Sequence, residues 1–451
     1  VLLFALTVPR RLQRWGAVLA LAAVVATVAF TLPMLGGAQP LVFFDTYAAD
    51  DVAVWSKLVV LGVTALAIGL SAGWFRTDAR QGEYYALLLL SALGAILLAG
   101  SADVMELVLA VLLSSTTGYL LCAYHRASAR SVEAGMKYFL LGAVTNSGLL
   151  YGVMLLFGLG GTTTLVGLRA GLSGAGTLSM VAATALVMLG LAFKLGAVPA
   201  HAWVPDVADG APAPVAAFVT TAPKVAALVA VGRLVLALPD DAVGWRGLVA
   251  LMAAATMTLG NLAALWQDDV RRLLGWSAVS QTGYGLMAVV ALGRSDLAVS
   301  ALLFFVVAYS LANLAAFGVV IELRGAARLD AYRGLGRDHP WLAATLLVAL
   351  LSLVGIPPLP GFTAKLTLFS AVIDAGYGWL AVLAVANTVV SLVYYLRLLG
   401  PAYLEASPAP LPALGQTAAA ATLVDAAALV LLSVAPGPLL DWFASARLLP
   451  G

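Results

Sequence analysis

Apolar residues run along this 451-residue chain in blocks of about 20, separated by short stretches rich in Arg, Asp, Gly and Pro. Each block is long enough to cross roughly 30 Å of hydrocarbon as a helix. Backbone groups in lipid must be satisfied internally, and long Ala, Leu and Val runs do this as helices rather than as barrel strands. The pattern predicts helices near 14–35, 54–75, 83–100, 103–123, 133–158, 178–209 and 213–237. Others follow near 246–265, 273–292, 297–322, 341–372, 378–400 and 414–435. The opening "VLLFALTVPRRLQRWG" takes eight apolar residues straight into a basic loop. That is too short for a span and in the wrong order for a signal peptide. It reads as the tail of a first helix whose beginning lies outside the sequence, and with it the count is fourteen helices.

Composition agrees with a polytopic, all-α membrane protein. Hydrophobic residues make up 62% and charged residues 10%, against about 25% charged in soluble domains; the mean hydropathy is +1.01. A net charge of +2 gives no sign of nucleic-acid binding. One cysteine, Cys122, excludes disulfides within the chain, a thiolate-held iron–sulfur cluster and a Cys-based zinc site. Three scattered histidines (His125, His201, His339) do not suggest haem or a metal centre. The expectation is a chain with no metal, cofactor or redox centre of its own.

The arginines set orientation. Arg10, Arg11, Arg14, Arg76, Arg80, Arg126, Arg130, Arg271, Arg272, Arg324, Arg328, Arg333, Arg337 and Arg397 fall on one set of alternate loops. The other set holds Arg169, Arg246, Arg294 and Arg447, with the acidic "DTYAADD" loop at 45–51. The arginine-rich side is therefore assigned to the cytoplasm.

Two long segments are interrupted, at "GAVPAHAWVPDVADGAPAP" and at "GIPPLPGFTAK". Proline within a membrane helix frees carbonyls, and such breaks survive only where protein or a water-lined cavity satisfies them. Counted with the first fragment, the breaks fall in helices seven and twelve, equivalent positions if helices four to eight and nine to thirteen are repeats. Paired broken helices in two repeats point to a transport site; the bland alternative is a pair of tolerated kinks. Lys194 and Lys365 lie within a few residues of the breaks, and Lys224 sits in the next helix, in "TTAPKVAAL". Ionisable residues within spans are costly and usually line a functional path, so the three lysines suggest a proton relay. Snorkelling to the interface is the alternative. His201, just past the first break, suits proton exchange with water or serves as a hydrogen-bond plug. Glu133 and Lys137, four apart on one helix face, permit an ion pair, equally well a surface pair. Asp206 and Asp209 are expected to cap the broken helix. Tyr309, Ser310 and Asn313 are polar residues inside a span, suited to holding water or to gluing helices together.

These residues fit a known family. "FKLGAVPAHAWVPDVADGAPAPVAAFVTTAPK", "SVEAGMKYFLLGA", "NLAALWQDDVRRLLGWSAVSQTGYGLMA" and "LSLVGIPPLPGFTAKLTLF" resemble, in order, the signatures of the antiporter-like membrane subunits of respiratory complex I. The N-type is closest: a lysine at 365 favours it over the M-type, and the short C-terminus distinguishes it from the L-type. The resemblance implies fourteen helices and two inverted five-helix repeats with helices seven and twelve broken. It also implies proton translocation coupled to quinone reduction elsewhere in the complex, with NADH, flavin, iron–sulfur clusters and quinone bound by other subunits. Implied partners are the M-type subunit, the small K- and J-type subunits and lipids, in a bacterial inner membrane. Carried over by position, Lys194, Lys224, His201 and Lys365 form the relay, and Glu133 and Lys137 match the charged pair of helix six. The implied division is 1–75, 83–237, 246–400 and 401–451.

The chain departs from the family in two places. Leu112 stands where the helix-five signature has a glutamate, and Gln281 where relatives often have a histidine in helix ten. Glu106, six residues before Leu112, lies about 600° round the helix and about 9 Å along it, so it is no simple substitute. Two other readings stay open: the large subunit of a multisubunit sodium/proton antiporter, and a scaffold that no longer pumps.

Overall fold

The computed structural model describes residues 1–37, 40–174, 176–239, 244–407, 413 and 415–448. It is almost wholly helical, apart from a two-stranded hairpin at Leu41–Val42 and Tyr47–Ala48. Among the described residues, eleven helices are long and apolar enough to cross a membrane. The others are a short piece at Leu2–Thr7, the polar helix ten (Val270–Ala291) and helix twelve, which is divided in two. The predicted start of helix fourteen, residue 414, lies outside the described residues; the helix runs Gln416–Val434.

The two repeats are visible in how their first helices are held. Asp103 caps helix five (Val104–Cys122) by accepting from the Met105 and Glu106 amides, and Asp269 caps helix ten by accepting from Arg271 and Arg272. Val104 N–H donates to Thr163 O, and Val270 N–H to Ala327 O. Gly94 of helix four packs against the Ser114 backbone of helix five, and Gly260 of helix nine against Ser280 of helix ten. Residues 103 and 269, 94 and 260, and 114 and 280 are each 166 apart. A Cβ on either glycine would come within 2.6 Å of the facing backbone, so both helix pairs depend on glycine for their approach. An odd number of helices per repeat inverts the second copy across the membrane.

The breaks have the same construction. The first half of helix seven (Thr177–Leu195) ends at Gly196, φ +68°, and that of helix twelve (Pro340–Val354) at Gly355, φ +91°. Ala197 N–H bonds Ala192 O and Ile356 N–H bonds Leu351 O, the six-to-one bond that closes a helix on a left-handed glycine. The second halves are Trp203–Gly210 and Pro360–Asp374.

Three expectations need correction. Helix six starts at Ala129 rather than near 133, because Ser128 caps it by accepting from Ser131 N–H. Helix eight is not continuous over 213–237 but divides into Ala213–Val219 and Ala222–Ala237. Pro223 has no N–H to give, and the Thr220 and Thr221 hydroxyls turn back onto Ala216 O and Ala217 O at 2.7 Å. Asp206 and Asp209 cap nothing: the second half of helix seven is entered through Ala202, and Asp206 lies inside its first turn.

Candidate proton path through the broken helices

Lys194 is the penultimate residue of the first half of helix seven, and its side chain is fully buried. Its Nζ donates to Ser115 Oγ of helix five at 3.2 Å. Leu112, one turn earlier, faces outward and is 40% exposed, so a neutral hydroxyl rather than a carboxylate answers this lysine. Glu106 lies at the far end of helix five, its Oε2 buried and without a hydrogen-bond partner among the described residues.

Lys224 is the third residue after the break in helix eight, and it too is buried. Its Nζ donates to the carbonyl of Ala278 in helix ten and lies 6.0 Å from the Tyr309 ring centroid. Its stem passes the break in helix seven, since a Cβ on Gly196 would sit 3.8 Å from Lys224 Cε. Tyr309 and Asn313, one turn apart on helix eleven (Ala298–Glu322), hold the helix-eight break. Tyr309 O–H donates to Thr220 O at 2.8 Å, and Asn313 Nδ2 donates to the hydroxyls of Thr220 at 3.2 Å and Thr221 at 2.8 Å. Ser310 instead donates to Val306 O of its own helix, 2.6 Å away.

Lys365 sits in the second half of helix twelve and reaches back across its break. It donates to Val354 O at 2.9 Å and to Thr388 Oγ1 of helix thirteen at 3.4 Å. Its ammonium stands 4.1 Å from the Tyr284 ring centroid, within cation–π range. Among the described residues no carboxylate lies within ion-pair distance of any of the three lysines.

Helix ten connects the two breaks through adjacent side chains. Thr282 Oγ1 donates to Leu195 O, the carbonyl next to Lys194, and is also within 3.0 Å of Ala278 O, the acceptor of Lys224. Gln281 Nε2 donates to Leu353 O at 2.9 Å, next to the carbonyl that takes Lys365. Both breaks are also bridged from within: Trp203 Nε1 donates to Phe193 O at 2.9 Å, and Gly361 N–H to Ser352 Oγ at 3.2 Å. His201 lies in the helix-seven break with its ring 5.7 Å from that of Trp276 of helix ten. Its Nδ1 is buried with no hydrogen-bond partner among the described residues.

At the rim on the arginine-rich side, Lys137 Nζ is 2.7 Å from Glu133 and 3.0 Å from Asp206. Arg272 is 2.8 Å from Asp206, and Arg271 donates to Ala208 O and Ala211 O at the end of helix seven. Glu133, Lys137, Asp206 and Arg272, together with Asp209 and Arg130, line a cavity of about 60 Å³, large enough for water. Glu133 and Lys137 thus stand at the rim, apart from the three buried lysines.

Ser115, Thr282, Tyr284, Thr388 and the helix-ten arginines were not anticipated. Only "TTAP" ahead of Lys224 carried a signal: two hydroxyls able to bond back and a proline, all before a charge.

Comparison with known proteins points one way. The model of the family described as NADH:quinone oxidoreductase/Mrp antiporter, TM, matches residues 101–391. The NADH-quinone oxidoreductase subunit N of Mycobacterium sp. (strain JLS) is 43% identical over 432 residues, which is 95% of this chain and 92% of that one. Subunit N 1 of Streptomyces griseus is 42% identical over 433 residues, again 95% and 92%. Among solved structures, a chain of respiratory complex I from Thermus thermophilus with bound aureothin matches with a TM-score of 0.83 at 31% identity, over 99% of this chain and 97% of that one. A chain of the Mrp complex from Dietzia sp. matches with a TM-score of 0.85 at 24% identity, over 98% and 93%, a likeness of fold alone.

Proposed function

The chain belongs to the family of N-type membrane subunits of NADH:quinone oxidoreductase, and from that premise we propose that it moves protons through Lys194, Lys224 and Lys365 within complex I. The observation that carries the proposal is that each lysine is buried and donates to neutral oxygens at or beside a helix break. An ammonium held only by hydroxyls and carbonyls is stabilised less than one in an ion pair, so it yields its proton more easily. A charge on one lysine also raises the cost of a charge on the next, because little screens them in this interior.

Protons enter from the cytoplasm past Glu133, Lys137 and Asp206. His201, whose Nδ1 has no hydrogen-bond partner among the described residues, exchanges them with water in the helix-seven break. Lys365, across the second break, hands them outward. Tyr309, Asn313 and Gln281 keep the broken backbone satisfied, and Ser310 lies beside the path. Residues 83–237 and 246–400 form the two half-channels, flanked by 1–75 and 401–451. The partners are other membrane-arm subunits (the M-type and the small K- and J-type) and lipids, in a bacterial inner membrane. Electrons pass through NADH, flavin, iron–sulfur and quinone sites on other chains.

The antiporter reading is less favoured, because sequence identity is higher to the complex I chain than to the Mrp chain. The test is Lys194→Ala in the assembled complex, with proton uptake into inverted vesicles measured against NADH oxidation. A large loss of pumping is expected. Unchanged pumping points to a scaffold, and purification without flavin and iron–sulfur subunits to an antiporter.

A further inference from the structure

Asp425 lies in the middle of helix fourteen, outside both repeats, and is 1% exposed. Both of its carboxyl oxygens are buried, and neither has a hydrogen-bond partner among the described residues. The helix that carries it is one of the least covered spans, with 22% of its apolar stretch buried, so this side chain turns into the bundle and away from the open face. Ionisable groups inside a span usually line a path for ions or protons, and the lysine relay does not use this one.

Two close approaches fix where the carboxyl sits. A Cβ on Gly69 of helix three (Asp51–Trp74) would come within 2.9 Å of Ala421 Cβ, and one on Gly318 of helix eleven within 2.7 Å of Thr422 Oγ1. Helix fourteen thus lies between helices three and eleven, and Asp425 follows one turn after both contacts, on the same face. The ionisable groups of the elements packed there are engaged elsewhere. Asp51 accepts from Arg447 N–H, and Tyr309 donates to Thr220 O. In helix twelve Lys365 donates to Val354 O and Thr388, and Asp374 accepts from Ser295. Lys57 stands about 18 Å along helix three from Gly69, whereas Asp425 is about 6 Å along helix fourteen from Ala421. The Thr422 hydroxyl donates to Ala418 O at 2.9 Å. A carboxylate in this seam would have neither counter-charge nor donor, which favours the neutral acid.

Glu322 supplies a way in. It ends helix eleven one turn past Gly318, is 2% exposed, and keeps Oε1 without a partner among the described residues. The Gly415 N–H at the head of helix fourteen donates to its carboxylate. Glu322, Thr422 and Asp425 therefore follow one another inward from the arginine-rich side along a single seam. Asp425 is about 15 Å from the level of Gly415, half-way across the hydrocarbon.

We infer that Asp425 is a proton-binding site separate from the lysine path, loaded from the arginine-rich side through Glu322. The step is a proton transfer between water at Glu322 and one carboxyl oxygen of Asp425, in which O–H bonds alone are exchanged. It stands apart from the proposed relay, because its readout is the acid itself and not pumping. The test is infrared spectroscopy of the assembled complex in membranes at neutral pH, wild type against Asp425→Asn and Asp425→Glu. A protonated carboxyl gives a carbonyl band that ionised carboxylates lack. One such band should be lost in Asp425→Asn, kept but displaced in Asp425→Glu, and shifted when the wild type is moved into heavy water. Glu322→Gln should keep the band and slow that shift about 100-fold, the loss of one acid–base group. No band lost in Asp425→Asn, a band that fails to shift in heavy water, or an unchanged rate of shift in Glu322→Gln overturns the assignment. The heavy-water arm on the wild type needs no variant, and Asp425→Glu identifies the band even if Asp425→Asn fails to assemble.

Discussion

Thr282→Val tests whether helix ten links the two half-channels. The substitution keeps the branched shape and removes one hydroxyl. The one hydroxyl proton lost is shared between two carbonyls, Leu195 O and Ala278 O. Ala278 O keeps Lys224, so the loss falls chiefly on Leu195 O at the open end of the first half of helix seven. A buried carbonyl left without its partner costs about 1–3 kcal/mol, which displaces the two-state balance of the break by about 5- to 150-fold. The break carries Lys194, so proton delivery should suffer before assembly does. In inverted vesicles, NADH oxidation should persist while protons moved per electron fall. Gln281→Leu should act likewise on the helix-twelve break through Leu353 O. If helix ten transmits between the breaks, the double variant departs from additivity by about 0.5 kcal/mol or more. Wild-type pumping in Thr282→Val, or strict additivity of the pair, would refute the link.

Other predictions rest on separate features. Leu112→Glu places a carboxylate one turn from Ser115 and should alter pumping and its pH profile; unchanged values of both would make position 112 irrelevant to Lys194. Arg233→Leu leaves Asp50 buried without the guanidinium now 2.7 Å away and should cost about 3–5 kcal/mol, seen as lost assembly on native gels. Asp206→Asn weakens a half-exposed tie to Lys137 and Arg272, so assembly should hold within about 1 kcal/mol while pumping slows. Burial holds the His125 imidazole, in the loop between helices five and six, below its ordinary 6.5. The unfolded chain therefore takes up the proton first, and stability should fall as pH drops below 6.5 towards the folded value. Above 6.5 the ring is neutral in both states and contributes no slope. His125→Gln should flatten the melting temperature of the assembly over that range and leave it unchanged above it.

The helices were legible because lipid leaves one reading of an apolar run of this length, and the breaks because Gly-x-x-Pro and Pro-Pro cannot continue a helix. The lysines were legible because charge inside a span is rare. Their partners were not. Ser115, Thr282 and Thr388 are ordinary residues in membrane helices, and their roles arise from contacts 79, 87 and 23 residues apart in sequence. Helix eight read as continuous because Pro223 sits at the first turn of a helix as readily as inside one; only the hydroxyls turned back onto Ala216 and Ala217 end the first half. The caps expected of Asp206 and Asp209 rested on residue type. Lys137 and Arg272 come from helices remote in sequence, and they engage Asp206 instead.

The repeat offset bears on what balances Lys194. Position 112 in helix five corresponds, 166 residues on, to Ala278 in helix ten, whose carbonyl takes Lys224; position 115, whose hydroxyl takes Lys194, corresponds to Gln281. In both repeats the same stretch of the second helix thus meets the path, and in both it offers neutral oxygen and amide groups in place of a carboxylate. A fixed anion beside one lysine would hold a proton there and make the two halves unequal. With neutral partners throughout, the proposed relay leaves the position of the charge to the other lysines and to the state of the breaks. Helix ten touches both breaks through neighbouring side chains, Thr282 at Leu195 O and Gln281 at Leu353 O, so under the proposed relay a displacement of this helix would alter both bonds together. That arrangement lets a change at one end of the chain be felt at the other without a buried ion pair between them.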